Sequence, residues 1–217
     1  MCSSDLDRGT LYLTVDPNKG LPIGRLRRYR RIKVLRESGA SIGEVVVPHS
    51  PGEAVFGLIA RAVSPEGEML YADPGTAKDE EDAPRGRQLR KLEIGPMKPD
   101  WIIEYTYDLY LPDLRFVEPW VFESEMPTLR SEFAVVVPKG YQVDVRYTED
   151  GEFVNRTPER FDTPEGTRFF WSVSNVPARF SEPSMPDRQL LAPRAHVVFQ
   201  SAELANQTVL GFRSWDD

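Results

Sequence analysis

Residues 99–137 alternate apolar and polar side chains along successive short segments. From Trp101 to Leu111 every second residue is apolar or aromatic, and Glu104, Thr106 and Asp108 lie between them. Successive side chains of a strand point to opposite faces of a sheet, so this alternation indicates a half-buried β-strand. Ser131 to Val137 repeats the pattern, and an aromatic stretch from Phe116 to Phe122 lies between the two segments. The region therefore predicts a sheet, and a sheet needs a second layer over its apolar face.

The same signals recur over most of the chain. Short period-two segments alternate with turns that contain Pro, Gly, Asn or Asp, and Asp150-Gly151 is the strongest hairpin signal among them. We therefore predict an all-β fold, an antiparallel β-sandwich of two packed sheets, formed as a single domain by residues 7–205. Ten side chains are predicted to lie in its core: Trp101, Ile103, Tyr105, Tyr107, Phe133, Val135, Val143, Val145, Phe169 and Trp171.

The two ends of the chain are interpreted separately. Residues 1–6 read Met-Cys-Ser-Ser-Asp-Leu, a peptide that one frame of a common sequencing adapter encodes. We predict that this segment is an artefact and leave it out of fold reasoning. Residues 206–217 are predicted to be a linker. No apolar run approaches the ~20 residues needed to cross a bilayer, so no membrane span is predicted in this segment.

Several short motifs follow one another in a characteristic order. They are Pro99-Asp100-Trp101-Ile102-Ile103-Glu104-Tyr105, Trp120, Glu125-Met126-Pro127, Val137-Pro138-Lys139-Gly140, Glu182-Pro183-Ser184-Met185-Pro186 and Ser214-Trp215-Asp216-Asp217. In this order the motifs resemble a domain of unknown function that precedes transglutaminase-like domains in secreted and periplasmic bacterial proteins. The resemblance extends from Arg27 to Ala202 and rests on the order of the motifs.

The resemblance implies both a role and a context. The chain would be a fragment of a longer protein, a non-catalytic module that positions or regulates a C-terminal transglutaminase-like domain or the protein substrate of that domain. A signal peptide lost by truncation would precede it, and the protein would be periplasmic or extracellular. Its expected partners are the transglutaminase-like domain of the same chain and a protein or glycan ligand.

The chain offers few groups for catalysis. Cys2 is its one cysteine, and His49 and His196 are its two histidines. A cysteine nucleophile needs a neighbouring base, and without a native thiol no Cys-His-Asp triad is expected. The chain also lacks the G-x-S-x-G, phosphate-loop and H-E-x-x-H motifs. We therefore expect no enzymatic activity, cofactor or metal in this segment. The acidic run Asp79–Asp82 is interpreted as a solvated loop, because it lacks the spacing and the glycine of a calcium loop.

The net charge of −7 argues against a general nucleic-acid surface, because phosphate binding depends on clustered Lys and Arg. The basic run at residues 25–33 is the exception. It fits a solvated strand whose long arginine side chains extend to water and whose charge discourages pairing at a sheet edge. A polyanion-binding module that uses Arg25 to Lys33 is the alternative.

A carbohydrate-binding module is a further alternative. Trp101, Trp120 and Trp171 would stack on sugar rings if their faces were exposed, although strand parity favours a core position for Trp101 and Trp171. Glutamates also flank Trp120, and a carboxylate pair beside aromatic rings is how glycoside hydrolases cleave sugars. The glutamates are Glu118, Glu123 and Glu125. The candidate binding surface predicted from the sequence comprises Arg27, Arg28, Arg30, Arg31, Trp120 and Glu182.

Overall fold

A computed structural model describes residues 1–178, 191–205 and 207–211 of the chain. These residues form sixteen β-strands and four short 3₁₀ helices. The strands are β1 (Cys2–Val15), β2 (Pro22–Val34), β3 (Glu44–His49), β4 (Ala54–Val63), β5 (Met69–Tyr71), β6 (Lys78–Asp82), β7 (Arg87–Glu93), β8 (Ile102–Leu111), β9 (Trp120–Val121), β10 (Thr128–Pro138), β11 (Tyr141–Glu149), β12 (Glu152–Phe153), β13 (Glu159–Thr163), β14 (Gly166–Val176), β15 (Arg194–Leu204) and β16 (Gln207–Leu210). The 3₁₀ helices span Glu37–Gly43, Pro74–Thr76, Ala83–Arg85 and Leu114–Phe116.

An eight-stranded sheet in the order β13-β14-β10-β1-β2-β8-β4-β5 forms one layer of the fold. The second layer consists of two smaller sheets, one in the order β12-β11-β15-β16 with β9 paired to β15, and one in the order β3-β7-β6. The prediction of an all-β sandwich is confirmed. Two details differ from it: the second layer is divided into two sheets, and β1 pairs with β10 in parallel although the other pairs are antiparallel.

Both small sheets cover the same face of the large sheet. On β2 this face is formed by the even-numbered residues, such as Leu26. On β8 it is formed by the odd-numbered residues, such as Leu111. Near one end of these strands the face belongs to a first hydrophobic cluster, which packs against β11 and β15 and includes Leu11, Phe133, Val135, Trp171 and Phe199. Near the other end it belongs to a second cluster, which packs against β3 and β7 and includes Ile32, Val34, Val47, Leu92 and Ile103. The large sheet thus carries two separate cores on one face.

Between the two clusters, the same face carries charged side chains. Asp7 of β1 pairs in register with Arg30 of β2, and Arg28 is two residues further along β2. Asp7 is 4% exposed, and both arginines lie against its carboxylate. We call Asp7, Arg28 and Arg30 the ionic seam, because they separate the two clusters.

All ten side chains predicted for the core lie in or against these clusters, which confirms that prediction. Five of them are buried, namely Ile103, Tyr107, Phe133, Val135 and Trp171. The other five are partly buried and pack against a cluster, namely Trp101, Tyr105, Val143, Val145 and Phe169. The predicted Asp150-Gly151 turn is also present. Both residues have positive φ, 52° and 82°, as the tight turn between β11 and β12 requires.

Two segments differ from their predicted form. The acidic run Asp79–Asp82 lies in strand β6 and not in a loop, because the basic strand β7 pairs with it and Arg90 and Lys91 contact Asp79 and Glu80 at 2.6 Å. The basic run in β2 is not at a sheet edge. Strand β2 lies between β1 and β8 at the centre of the large sheet, where acids on its neighbours offset its charge.

The terminal segments also take part in the sheets. Residues 2–6, which were predicted to derive from an adapter, form the start of β1, and Ser4 is fully buried there. Residues 207–210 of the predicted linker form β16 and pair with β15. In the described residues, no helix has the length and apolar character to cross a membrane.

Candidate functional site

A cleft of ≈ 240 Å³ lies between the two small sheets, above the ionic seam. Its floor is the large sheet, which contributes Leu11, Leu26, Arg28, Tyr107 and Leu109. One wall is the end of β3 and the turn after it, from Pro48 to Glu53, together with Arg87 at the start of β7. The opposite wall is the segment from Val117 to Glu123, which contains β9. The cleft therefore exists because the second layer is divided.

The wall that contains β9 is fixed by Trp120. Its indole stacks on Phe133 with ring centroids 5.3 Å apart, and the Arg28 guanidinium lies 4.7 Å from the ring centroid on the seam side. Gly9 of β1 lies directly beneath the indole, where a Cβ atom would come within 2.3 Å of the ring. Only glycine permits this approach. The indole Nε1–H donates to Ser131 Oγ at 3.4 Å, so the ring is held by stacking, by a cation and by a long hydrogen bond.

The ionic seam closes the bottom of the cleft. Arg28 donates two hydrogen bonds to the Asp7 carboxylate, at 2.9 and 2.6 Å, and Arg30 Nε lies 3.3 Å from the same carboxylate. Burial alone would raise the pKa of Asp7, but the two guanidinium groups outweigh it and hold this pKa below its ordinary value. Arg30 Nη1 also donates to the hydroxyl of Tyr105 at 3.4 Å. Arg28 is thus fixed by Asp7 on one side and by Trp120 on the other.

Two carboxylates, those of Glu53 and Glu118, line the cleft from its opposite walls. Glu53 Oε2 accepts a hydrogen bond from the backbone N–H of Ser50 at 2.7 Å. Burial, and to a lesser extent the neighbouring carboxylate of Glu118, raises the pKa of Glu53 above its ordinary value. Glu118 contacts Arg87 at 3.8 Å, which is a loose and largely exposed ion pair. Two carboxylates, one from each wall, therefore lie near the Arg87 guanidinium.

His49 lies behind these acids. It ends β3, is 8% exposed, and lines the cleft next to Glu53. Its Nδ1 lies 3.4 Å from the Ser50 carbonyl oxygen. The His49 side chain thus contributes to this wall from the end of β3.

The structure brings two of the predicted surface residues together. Arg28 and Trp120, which are far apart in sequence, stack at the cleft. Arg30 lies in the seam on the same face of the sheet. Arg27 and Arg31 are on the opposite face, where Arg27 forms two 2.9 Å hydrogen bonds with Asp108 and Arg31 lies near Asp5 and Glu104, at 3.6 and 3.9 Å. Glu182 lies outside the described residues.

The burial of the tryptophans bears on the carbohydrate alternative. Trp120 is 5% exposed and Trp171 is 3% exposed, so neither offers a free ring face to a sugar. This corrects the expectation that Trp120 forms part of an open surface: Gly9 and Phe133 allow its ring to enter the core. Of the three glutamates that flank Trp120 in sequence, Glu118 and Glu123 line the cleft, whereas Glu125 is not one of its lining residues.

Sequence reasoning missed three cleft residues, His49, Glu53 and Arg87. They lie on β3, the turn after it and β7, far along the chain from Trp120, and no local motif links them. The weak signal was His49 itself, one of two histidines in the chain, which follows Pro48 at the end of β3. The other histidine, His196, contacts Thr148 at 2.8 Å, and its burial together with Arg194 and Arg146 lowers its pKa. Among the described residues, no three His, Cys, Asp or Glu side chains are grouped so that they could hold a metal ion.

The fold and its cleft define the chain as an all-β domain in which one large sheet carries two smaller ones. The chain belongs to the family DUF3857, a domain of unknown function with solved structures, whose match covers residues 24–180. No curated protein matches the chain at a significant level.

One solved structure shares the fold over most of this chain. A putative protease from Parabacteroides distasonis ATCC 8503 is similar with a TM-score of 0.72 and 12% identity, over 92% of this chain and 41% of that chain. This chain therefore spans less than half the length of that protein. An M1 zinc metallopeptidase from Deinococcus radiodurans aligns with a TM-score of 0.45 and 10% identity, over 96% of this chain and 46% of that one. Leukotriene A4 hydrolase from Saccharomyces cerevisiae aligns with a TM-score of 0.43 and 14% identity, over 95% of this chain and 31% of that one.

Proposed function

We propose that this domain is a non-catalytic module that positions or regulates a transglutaminase-like domain, or the protein substrate of such a domain. The observation that carries the proposal is the similarity to the Parabacteroides protein, a putative protease in which this fold accounts for 41% of the chain. A fold that occupies part of a longer protease chain fits an accessory role. The order of motifs described above supplies the more specific expectation of a transglutaminase-like neighbour.

The geometry of the cleft supports binding as its role. His49 Nδ1 lies 3.4 Å from the Ser50 carbonyl oxygen and Glu53 accepts a hydrogen bond from the Ser50 backbone N–H, so neither contact involves the Ser50 hydroxyl. A serine nucleophile would need its base within hydrogen-bond reach. Cys2 is buried in the second cluster, and burial raises the pKa of its thiol, which disfavours the reactive thiolate. A rigid cleft with fixed charges is instead suited to recognising a segment of another protein or domain.

The proposal also includes a compartment. The family resembled here is found mainly in exported bacterial proteins, and we place this protein in the periplasm or outside the cell. Fractionation of cells that express the native gene, followed by detection with an antibody against the domain, tests this part. Recovery in the cytoplasmic fraction alone would contradict it.

The role itself is tested in two steps. The purified 217-residue chain is incubated with casein and with an amine acceptor, and we expect no turnover. Turnover that survives a Cys2→Ser substitution would contradict the non-catalytic assignment. The DNA that flanks the reading frame is then sequenced, and we expect a downstream domain with a cysteine at a helix start followed by His and Asp. A flanking domain of another kind would remove the transglutaminase association.

A further inference from the structure

A second cavity, of ≈ 590 Å³, lies at the edge of the sandwich and shares no lining residue with the cleft. Part of β11 lines it on one side, and the segment from β12 to the start of β13 lines it on another. Its volume falls within the roughly 300–1,000 Å³ that is typical of sites for small molecules. The described residues that line it include Arg146, Arg156 and Arg160 and contain no Asp or Glu. We call this cavity the arginine pocket.

Each of the three guanidinium groups lies against an aromatic ring that also lines the pocket. The distances from the guanidinium carbon to the ring centroid are 5.4 Å for Arg146 and Phe153, 5.0 Å for Arg156 and Tyr147, and 6.0 Å for Arg160 and Phe169. The negative face of an aromatic ring attracts a cation, and the flat guanidinium stacks well on such a face. The rings therefore help to hold the three cations in fixed positions.

Two of these arginines are paired with carboxylates that do not line the pocket. Arg146 donates a hydrogen bond to Asp144 at 2.6 Å, and Arg160 donates one to Asp162 at 3.1 Å. Each aspartate is two residues away on the same strand, so each pair forms along one face of its strand. The charges of Arg146 and Arg160 are thus largely compensated.

Arg156 differs from them, because within the described part of the chain its guanidinium contacts neutral acceptors alone. It donates to the Tyr147 hydroxyl and to the Ser172 carbonyl oxygen, both at 3.2 Å. A guanidinium carries five N–H donors, so these two bonds leave donors for a further acceptor. The backbone of Arg156 is fixed as well: its N–H donates to the Val154 carbonyl at 2.9 Å, and its carbonyl accepts from the Trp171 indole N–H at 3.4 Å.

The rest of the pocket is largely apolar, with Val154, Pro158 and Phe169 among its lining side chains. One uncompensated guanidinium in such surroundings matches a ligand with a single negative charge. A second charge on the ligand would lose water without gaining a partner, which is unfavourable. A carboxylate suits this place, because its two oxygens fit the fork of a guanidinium.

We propose that the arginine pocket binds a small organic monocarboxylate, a molecule that carries one carboxylate group on an apolar or aromatic body. The carboxylate accepts hydrogen bonds from Arg156, and the body packs on Val154, Pro158 and Phe169. This site is distinct from the cleft, so the inference goes beyond the proposed function and does not depend on it.

Nuclear magnetic resonance tests the inference with two natural reporters. The Trp171 indole N–H donates to the Arg156 carbonyl, so its resonance should respond when Arg156 gains a ligand. Trp101 packs against the second cluster and serves as the internal control. The probes are 3-phenylpropionate, the uncharged 3-phenylpropanamide, which has the same body, and phenyl phosphate, which is largely a dianion at neutral pH.

We expect 3-phenylpropionate to shift the Trp171 resonance saturably, to leave Trp101 in place, and to bind about tenfold more tightly than the amide. Arg156→Gln should weaken binding of 3-phenylpropionate about tenfold and leave binding of the amide unchanged. Arg156→Lys retains the charge without the fork and should bind with intermediate affinity. Arg168→Gln is the matched control and should bind as the wild type does. Arg168 is also an exposed arginine over an aromatic ring, 5.3 Å from the centroid of Phe170, but it does not line the pocket.

Equal binding of 3-phenylpropionate and its amide, tighter binding of phenyl phosphate, or no saturable shift of Trp171 would overturn the inference. Unchanged binding by Arg156→Gln, or an equal loss in Arg168→Gln, would overturn it as well. Arg156 is exposed, so both of its variants should fold, and the Trp101 resonance verifies this. If the glutamine variant did not fold, the lysine variant and the comparison of the carboxylate with the amide would still decide the matter. None of these outcomes bears on catalytic turnover or on the flanking domain, which test the proposed function.

Discussion

Arg28 is a cation that contacts both the core and the cleft. Its side chain is 28% exposed, whereas that of its partner Asp7 is 6% exposed. Arg27, the next residue on β2, is 51% exposed and pairs with Asp108 on the solvent face. The two arginines are adjacent in sequence, but Arg28 lies on the covered face of the large sheet and Arg27 lies on its solvent face. They therefore form a matched pair for measurement.

Replacing Arg28 by methionine should reduce the free energy of unfolding by about 3–5 kcal/mol, because it leaves the buried Asp7 carboxylate without its main partner. Arg27→Met should cost less than about 1 kcal/mol, as is usual for exposed ion pairs. Urea unfolding followed by circular dichroism measures both values. Equal losses in the two variants would show that the seam contributes no more than a surface pair.

The pKa of Asp7 predicts how the stability of the protein depends on pH. Asp7 faces Arg28, Arg30 and Tyr107 and has a lower pKa in the folded chain than its ordinary value of 3.8. A depressed folded pKa stabilises the protein above the unfolded pKa of about 4, and this contribution disappears as the pH falls through the folded pKa. Between about pH 5 and pH 2, the wild type should lose stability more steeply than Asp7→Asn.

The comparison isolates Asp7, because the other carboxylates with lowered pKa values, such as Glu104 and Asp16, are present in both proteins. Urea midpoints at a series of pH values supply the measurement. Parallel curves for the two proteins would mean that Asp7 has the same pKa in the folded and unfolded chains.

Sequence reasoning identified the arginine run but could not tell which of its members enter the fold. Alternation places Arg28 and Arg30 on one face and Arg27 and Arg31 on the other, yet both faces read as basic. Arg28 and Arg30 lie on the inner face because Asp7 on β1 places a buried carboxylate opposite Arg30. Asp7 belongs to another strand, so the sequence of β2 alone could not reveal this contact.

At the scale of elements, the short strand β9 depends on a single glycine of β1. The indole of Trp120 lies on Gly9 so closely that a Cβ atom would approach to 2.3 Å. Gly9→Ala should therefore displace Trp120 and the cleft wall, with a loss of about 1–3 kcal/mol in unfolding free energy. The Trp120 indole resonance should shift as well.

Thr10→Ala is the control for this prediction, because Thr10 is the adjacent β1 residue and points to the opposite face. It should leave the Trp120 resonance in place. If Gly9→Ala matched the control in both stability and resonance position, the close packing of Trp120 on β1 would not hold in solution.

The strands with one buried and one exposed face were predictable from the period-two pattern, and β8 (Ile102–Leu111) begins within one residue of its predicted span from Trp101 to Leu111. Strands without a buried face could not be predicted from this pattern. All five residues of β13 are exposed, and β6 is largely exposed and acidic, so neither shows an alternation. Strand β6 forms because β7 supplies opposite charges across the pair, which is tertiary information. The cleft could not be predicted for the same reason, because its walls come from segments that meet only in the folded chain.

At the scale of the whole molecule, strands β1, β2 and β8 run through both hydrophobic clusters. Cys2 lies in the second cluster and Leu11 in the first, and both belong to β1. Ile103 and Leu111 divide β8 in the same way. Because these strands contribute to both clusters, unfolding of one cluster would expose part of the other. The two cores should therefore unfold as one cooperative unit, despite the cleft and the ionic seam between them.

Tryptophan fluorescence can test this cooperativity, because Trp171 lies in the first cluster and Trp101 packs against the second. Two variants each retain one of these tryptophans, with the other three replaced by phenylalanine. Leu92→Ala, which truncates a side chain that is 1% exposed in the second cluster, is then added to each variant. Core truncations of this kind cost about 2–5 kcal/mol.

If the clusters unfold together, the urea midpoint reported by Trp171 should fall as far as the midpoint reported by Trp101. Leu129→Ala removes a 57% exposed side chain and should move neither midpoint. A Trp171 midpoint that stays fixed while the Trp101 midpoint falls would show that the ionic seam separates two independent folding units, contrary to the shared strands.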